Sequence, residues 1–234
     1  MKGLLVRVGI DATAGGWNGP VDPATGSFVY VPIPETQEYI RLGLGLPYKE
    51  IIPALSRMKE QLPRHLQGRF MHLDPDFAEL TYGDCHPRSL PIIGLTRGDF
   101  LVFYASLRSI TNVQQGLLYA IIGFFLIEEV VSADEIPRDR WHQNAHTRRT
   151  LNQSDTVVRA QRGKSGRLTH CISIGEYRQR AYRVRRDILT AWGGLSVTDG
   201  FIQRSARLPF FKNPYAFLKW FESQKPELLE RNNP

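Results

Sequence analysis

The segments GDFLVFYASLR (Gly98–Arg108) and LLYAIIGFFLIEEVVSA (Leu117–Ala133) decide how this chain folds. A Gly-Asp turn opens the first. Apolar, β-branched and aromatic residues then run without strict alternation, the pattern of strands covered on both faces. Gly123 interrupts the second run and predicts a bend or bulge there. The eight residues between them, SITNVQQG, have the length of a hairpin loop, so the two runs read as one long hairpin. The apolar run Tyr119 to Ile127 has nine residues and, even with Leu117 and Leu118 before it, is too short to span a bilayer.

Shorter elements extend outward from this hairpin. Leu4–Ile10 and Ser27–Ile33 read as strands, as does the short Phe70–Leu73. Ile51, Ile52, Leu55, Met58 and Leu62 fall at helical spacing and predict a helix over Tyr48–Leu62. Tyr82–Pro91 reads as a loop, and a short helical piece follows Asp134 and ends near His142. Thr156–Arg162 and Leu168–Ile174 read as a strand pair around a Gly-Lys-Ser-Gly turn. The tail Asn213–Ser223 carries Tyr215, Phe217, Leu218 and Phe221 at helical spacing. The expectation is a single α+β domain over residues 1–234, a mostly antiparallel β-barrel, closed or partly closed, with peripheral helices.

Composition narrows the class. With 234 residues, 42% apolar and 23% charged, the chain is neither disordered nor a fibrous repeat. Two cysteines, Cys85 and Cys171, make no disulfide framework. The opening MKGLLVRVGIDATAGG is broken by Arg7 and Asp11, so it reads as a strand and not as a signal peptide. A reduced, cytoplasmic protein is expected, with no membrane partner.

Charge is unevenly spread. Residues 1–136 hold 11 basic and 15 acidic side chains, and residues 137–234 hold 19 and 8. The basic half is rich in arginine, with Arg148, Arg149, Arg162, Arg183, Arg185 and Arg186 among others. Guanidinium forks match phosphate oxygens, so nucleic acid is the expected partner. The alternative is a solvated basic face without a ligand. Lys164, in the Gly163–Gly166 turn, is placed to touch a backbone phosphate.

The densest set of possible ligands is His72-Leu-Asp74-Pro-Asp76. On an extended segment, alternate residues share a face, which would bring the imidazole and both carboxylates together. That set suits a divalent metal, or a histidine oriented by a carboxylate for acid–base work. With a distant histidine, His146 or His170, it also makes the two-histidine, one-carboxylate set of a facial-triad iron site. The alternative is an Asx-turn or helix cap built by Asp74 and Asp76. Asp11 and the Gly15-Gly16 turn follow the first strand and offer either an anion-binding turn or an ordinary tight turn. Cys85-His86 lacks the paired spacing of a zinc site.

Two resemblances arise from these residues. The hairpin Gly98–Pro137 resembles the central hairpin of PUA-like domains of the ASCH and EVE types, in which a strand ends in an aromatic and small polar residues. That likeness implies a barrel that binds RNA or a modified base, with Tyr104, Ser106 and Arg108 at the binding strand. Over nearly its full length the chain resembles the nucleotide modification associated domain 3 family. The matching pieces are Asp11 with Gly15-Gly16, Val31–Glu35, His72–Asp76, Gly83, Gly98-Asp99, Phe103–Arg108, Asn144–His146 and Leu208–Phe211. Cys85 departs from the family pattern near that glycine.

The family likeness implies a DNA base hypermodification protein, in phage or restriction-related settings, with other base-modification enzymes as associates and DNA ahead of RNA as partner. Asp11, His72, Asp74 and Asp76 are then the expected catalytic cluster, with His72, Asp74 and Asp76 the candidate ligands of a divalent metal. A base in duplex DNA must be flipped out to react, and Tyr104, Tyr82 or Trp17 could stack on it. The competing readings are a non-catalytic PUA-like reader of modified bases in DNA or RNA, and a scaffold or nuclease-associated subunit.

Overall fold

The computed structural model describes residues 1–111, 116–150, 155–203 and 208–234. The middle of the 109–116 connection lies outside the described residues. At the centre, β7 (Phe100–Ser109) and β8 (Leu118–Ser132) pair antiparallel, from Phe100 opposite Leu126 to Leu107 opposite Leu118.

Alternation along β7 sends Leu101, Phe103, Ala105 and Leu107 into one core, and Phe100, Val102 and Tyr104 into another. Both faces of the sheet are therefore covered, which explains why the sequence there shows no polar alternation. In β8 the faces switch part-way. Ala120 and Ile122 share the first core with Phe125 and Ile127, whereas Tyr119 and Ile121 share the second with Phe124 and Leu126. The switch is a bulge: Phe103 faces Gly123 and Tyr104 faces Ile121, leaving Ile122 as the extra residue. Gly123 is required beside it, because a Cβ there would lie 2.3 Å from Cε1 of Phe77.

Both edges of this hairpin are extended. β1 (Gly3–Arg7) and β2 (Pro20–Val21) lie parallel to successive parts of β7. β10 (Gly166–Ser173) pairs with the first part of β8, and β9 (Thr156–Ala160) with its second part. β9 continues to β6 (Thr81–Asp84), and β10 to β13 (Leu228–Leu229). The eight strands form a forked, open sheet, and among the described residues no ladder closes it into a barrel. β9 and β10 are the strands expected around the Gly-Lys-Ser-Gly turn, but they do not pair with each other. Each lies against its own length of β8, which is long enough to hold both.

Two smaller sheets complete the α+β fold. β3 (Ile33–Pro34) and β4 (Leu46–Pro47) flank β5 (Phe70–His72), and β11 (Gly175–Arg178) pairs with β12 (Ala181–Val184). The expected strand over Ser27–Ile33 is buried from Phe28 to Val31 but forms only the bridge Val21–Phe28 before β3. Much of its hydrogen bonding goes to loops and to the side chain of Asn233. The expected helix over Tyr48–Leu62 is a 3-10 turn, Tyr48–Ile51, followed by α1 (Ile52–Arg57). It stops where Lys59 adopts a φ of 59°. The expected loop Tyr82–Pro91 begins inside β6 and ends in α2 (Leu90–Ile93). α3 (Ala145–Arg148) is a single turn, and α4 (Arg186–Ala191) and α5 (Pro214–Ser223) cover the second core through Ile188, Phe217 and Phe221. No described helix is long and apolar enough to cross a membrane.

The bulge supplies a stability test. Gly123→Ala drives a methyl into the Phe77 ring, and overpacking of this kind costs about 1–3 kcal/mol. The thermal midpoint is expected to fall by several degrees, about 2–4 °C per kcal/mol for a chain of this size. An unchanged midpoint in a calorimetric scan would show that Phe77 does not fix the bulge.

Candidate metal centre

β5 ends at His72, opposite Ile33 of β3. Two residues beyond Ile33, the Glu35 carboxylate meets the His72 ring, with Oε2 2.6 Å from Nδ1. This pairing leaves Nε2 of His72 free to face Asp74, whose Oδ2 is 4.0 Å away. Asp74 is itself fixed by the backbone. The N–H of Gly83 donates to both its oxygens, at 2.9 and 3.0 Å, and Asn144 Nδ2 lies 3.4 Å from Oδ1.

The third member arrives from α3. Asn144 caps that turn, its Oδ1 accepting from the N–H of His146 at 2.8 Å. The cap swings His146 over Gly83, where its Nε2 lies 3.6 Å from Asp74 Oδ2. The other ring nitrogen, Nδ1, is 3.1 Å from Oδ2 of the buried Asp155, which just precedes β9. Ligand atoms of His72, Asp74 and His146 all lie within 4.8 Å of one another. Ligands about 2.1 Å from a common metal sit about 3.0–3.4 Å apart, so a shift of up to about 1 Å would bring these three to bonding distance.

Two imidazoles, each backed by a carboxylate on its far nitrogen, with a carboxylate between them, are a recurrent metal-binding arrangement. The local field favours positive charge. Burial opposes the charged form of His146, but its bonds to Asp155 and Asp74 outweigh burial and lift its pKa to about 9. Burial pushes Glu35 and Asp155 upward, yet their histidine partners hold both below the usual carboxylate range.

The cluster lies on a cleft of about 610 Å3. Its walls also carry Arg7, Asp11, Asp84, Cys85, Arg88 and Arg149, with Ile33, Pro34 and Tyr82 as apolar surface. Burial raises the pKa of the Cys85 thiol, so it is no activated nucleophile in this setting.

The residues singled out from the sequence divide clearly. His72 and Asp74 meet in the cluster, and of the two distant histidines His146 joins them, while His170 is exposed. Asp76 does not. The strand ends at His72, and Asp76 turns away to bind Arg148, Asn232 and the N–H groups of Ala78 and Glu79. Asp11 lines the cleft but pairs with Arg7 at 2.8 Å and accepts the N–H groups of Thr13 and Ala14. Those donors are thus unavailable to an anion.

Most of the expected nucleic-acid residues are committed elsewhere. Tyr104 is fully buried and donates to the carbonyl of Ile202, and Ser106 is buried against Asn18. Arg108 pairs with Glu60, Arg162 with Glu230 and Arg183 with Asp199. Arg185 lies 3.6 Å from Asp187, whereas Lys164 and Arg186 are exposed. Tyr82 is buried with its hydroxyl on Asp84. Asp155, Arg7 and Arg88 carry no motif, and only their placement reveals them; Glu35 closes the family piece Val31–Glu35, but its pairing with His72 shows only in the structure.

Residues 2–199 match the family described as nucleotide modification associated domain 3. The chain belongs to that family. No curated protein and no solved structure matches it significantly. The family's description ties the chain to nucleotide modification, and the matched span contains His72, Asp74, His146 and both backing carboxylates.

Gly83 gives the sharpest test of the geometry. A Cβ there would lie 2.4 Å from Cδ2 of His146, so Gly83→Ala must displace the ring. Binding of Co2+ or Zn2+ is expected to weaken at least about tenfold, with the circular dichroism spectrum unchanged; retained affinity would remove His146 from the ligand set. Glu35→Gln and Asp155→Asn, which keep shape and remove charge, are each expected to weaken metal binding about 10–100-fold by titration calorimetry. Equal affinity in both would mean the backing carboxylates do no more than fill space.

Proposed function

We propose that this chain is a metal-dependent enzyme that modifies a nucleobase of DNA, with His72, Asp74 and His146 as the ligands of one divalent transition metal. The observation that carries this reading is the convergence of the three side chains with Glu35 and Asp155 behind the two imidazoles. Nitrogen-rich sets of this kind hold ferrous iron or zinc in preference to magnesium or calcium. Three protein ligands leave coordination positions open for water or substrate, as catalytic sites do and closed structural sites do not. A metal in that position supplies Lewis acidity or an activated oxygen ligand at the cleft.

The chain's own residues define the rest. Gly83 and Asn144 hold Asp74, and the apolar Ile33–Pro34 wall offers a surface for a planar base. A base within duplex DNA would have to leave the stack to reach the cluster. The competing reading, a PUA-like reader that leaves the base unchanged, drew on the β7–β8 hairpin. Both faces of that hairpin are covered and Tyr104 is buried, so the support for a binding strand there is weak.

The test is metal analysis of the purified protein beside His72→Ala, Asp74→Ala and His146→Ala, together with mass spectrometry of nucleosides from DNA exposed to each. The expected result is about one equivalent of iron, zinc or manganese per chain, lost in all three variants. A mass change in one nucleoside is expected to disappear with it. Full metal content in the variants would overturn the ligand assignment, and bound metal with unaltered nucleosides would overturn the enzymatic reading on DNA.

A further inference from the structure

Arg88 and Arg149 both line the cleft that holds the three-residue cluster. Each contacts a carboxylate without being satisfied by it. Arg88 Nε lies 3.4 Å from Asp84 Oδ2, too poorly aligned for a hydrogen bond, and is buried with no acceptor. Arg149 reaches Asp155 Oδ2 at 3.3 Å and His146 Nδ1 at 3.2 Å through the same terminal nitrogen, and its buried Nε likewise has no acceptor. Cys85 lines the same cleft.

The other cleft cation, Arg7, is engaged by Asp11 and by the carbonyl of Gln203. Outside the cleft, Arg108, Arg148, Arg162, Arg178 and Arg183 each have a carboxylate partner. Buried nitrogens without an acceptor also occur on Arg148, Arg167, Arg183 and Arg185, but of the described arginines with such a nitrogen only Arg88 and Arg149 line the cleft. Both residues line the cleft, and the terminal guanidinium nitrogens are the donors that a tetrahedral oxyanion accepts.

We infer that Arg88 and Arg149 form the phosphate-binding subsite of this cleft, so that the substrate is held by the phosphate of a nucleotide while its base faces His72, Asp74 and His146. The inference rests on the metal-centre reading for the role of that neighbouring cluster. The phosphate is either the monoester of a free deoxynucleotide or a phosphodiester of a DNA strand.

The experiment is titration calorimetry on the metal-loaded protein with four kinds of probe: deoxynucleosides, the matching deoxynucleoside 5′-monophosphates, inorganic phosphate, and a single-stranded oligonucleotide of mixed sequence. The monophosphate or the oligonucleotide is expected to bind at least about tenfold more tightly than the nucleoside, the range of a charge-assisted contact. That gain is expected to vanish in Arg88→Leu and to shrink in Arg149→Leu, with metal content measured in each variant. An Arg88-dependent gain for the monophosphates identifies free nucleotides as the source, and one for the oligonucleotide alone identifies a strand. Equal binding of nucleoside and phosphate-bearing probes overturns the subsite. So does a gain that survives in both variants, because the metal itself is then the phosphate ligand. A protein without metal would fail the earlier reading on its own terms, and Arg88-dependent binding of phosphate to it would leave the subsite standing.

Discussion

The backbone N–H of Gly83 donates to both oxygens of Asp74, and the ring of His146 rests on the same glycine. That contact joins three separate pieces of chain: the turn after β5, the strand β6 and the capped turn α3. A side chain at position 83 would part them, because the space it needs is filled by the imidazole. Asn144 closes the arrangement from the other side, capping α3 through its oxygen and reaching Thr81 and Asp74 through its nitrogen. Each ligand is fixed by backbone or by a small polar side chain. Little rotamer freedom is left for a bound cation to remove.

The scaffold behind this contact comes from the long hairpin. Phe77, two residues after Pro75, packs edge-on against Tyr30, Phe103 and Phe125 and closes over the bulge at Gly123. The turn that carries Asp74 is therefore anchored in the first core one residue layer below the cleft. Its outer side is braced by the C-terminus. Asn232 bonds Asp76 and the N–H of Phe77, and Asn233 bonds both backbone groups of Tyr30, whose hydroxyl donates to the carbonyl of Asp74. These two asparagines lie beyond the residues matched by the family.

How much of this the sequence discloses depends on the range of the interaction. The hairpin is legible because burial on both faces writes itself into consecutive residues, and Gly123 marks its bulge. His72 and Asp74 do meet, but Asp74 lies past the end of β5 and is held there by the N–H of Gly83 rather than by strand alternation. Asp76 misleads, because the alternation rule holds only while the strand continues, and β5 stops at His72. The choice of His146 over His170 is not legible, since it depends on the Asn144 cap and on the space above Gly83. The pairing of the arginine-rich half is likewise not legible. Its charges find partners far away in sequence, Arg148 with Asp76 and Arg162 with Glu230, and a count of charges along the chain contains no such pairing. Tyr104 reads as a possible stacking ring only until both faces of β7 are seen to be covered.

Charge balance at the cluster bears on the kind of cation proposed for it. Three carboxylates, Glu35, Asp74 and Asp155, converge on two imidazoles where little water reaches them. Burying such charges without compensation costs several kcal/mol each. Arg149 offsets one of the three. A proton on His146 offsets a second, which is why that imidazole holds its proton to about pH 9. With both imidazoles neutral, as metal ligands are, the three carboxylates and Arg149 leave two negative charges, which a divalent cation cancels. A monovalent ion would leave one uncancelled, and a trivalent one would overshoot. The same balance bears on the backing carboxylates: without Glu35 and Asp155, Asp74 and Arg149 would cancel each other and leave the proposed cation uncompensated.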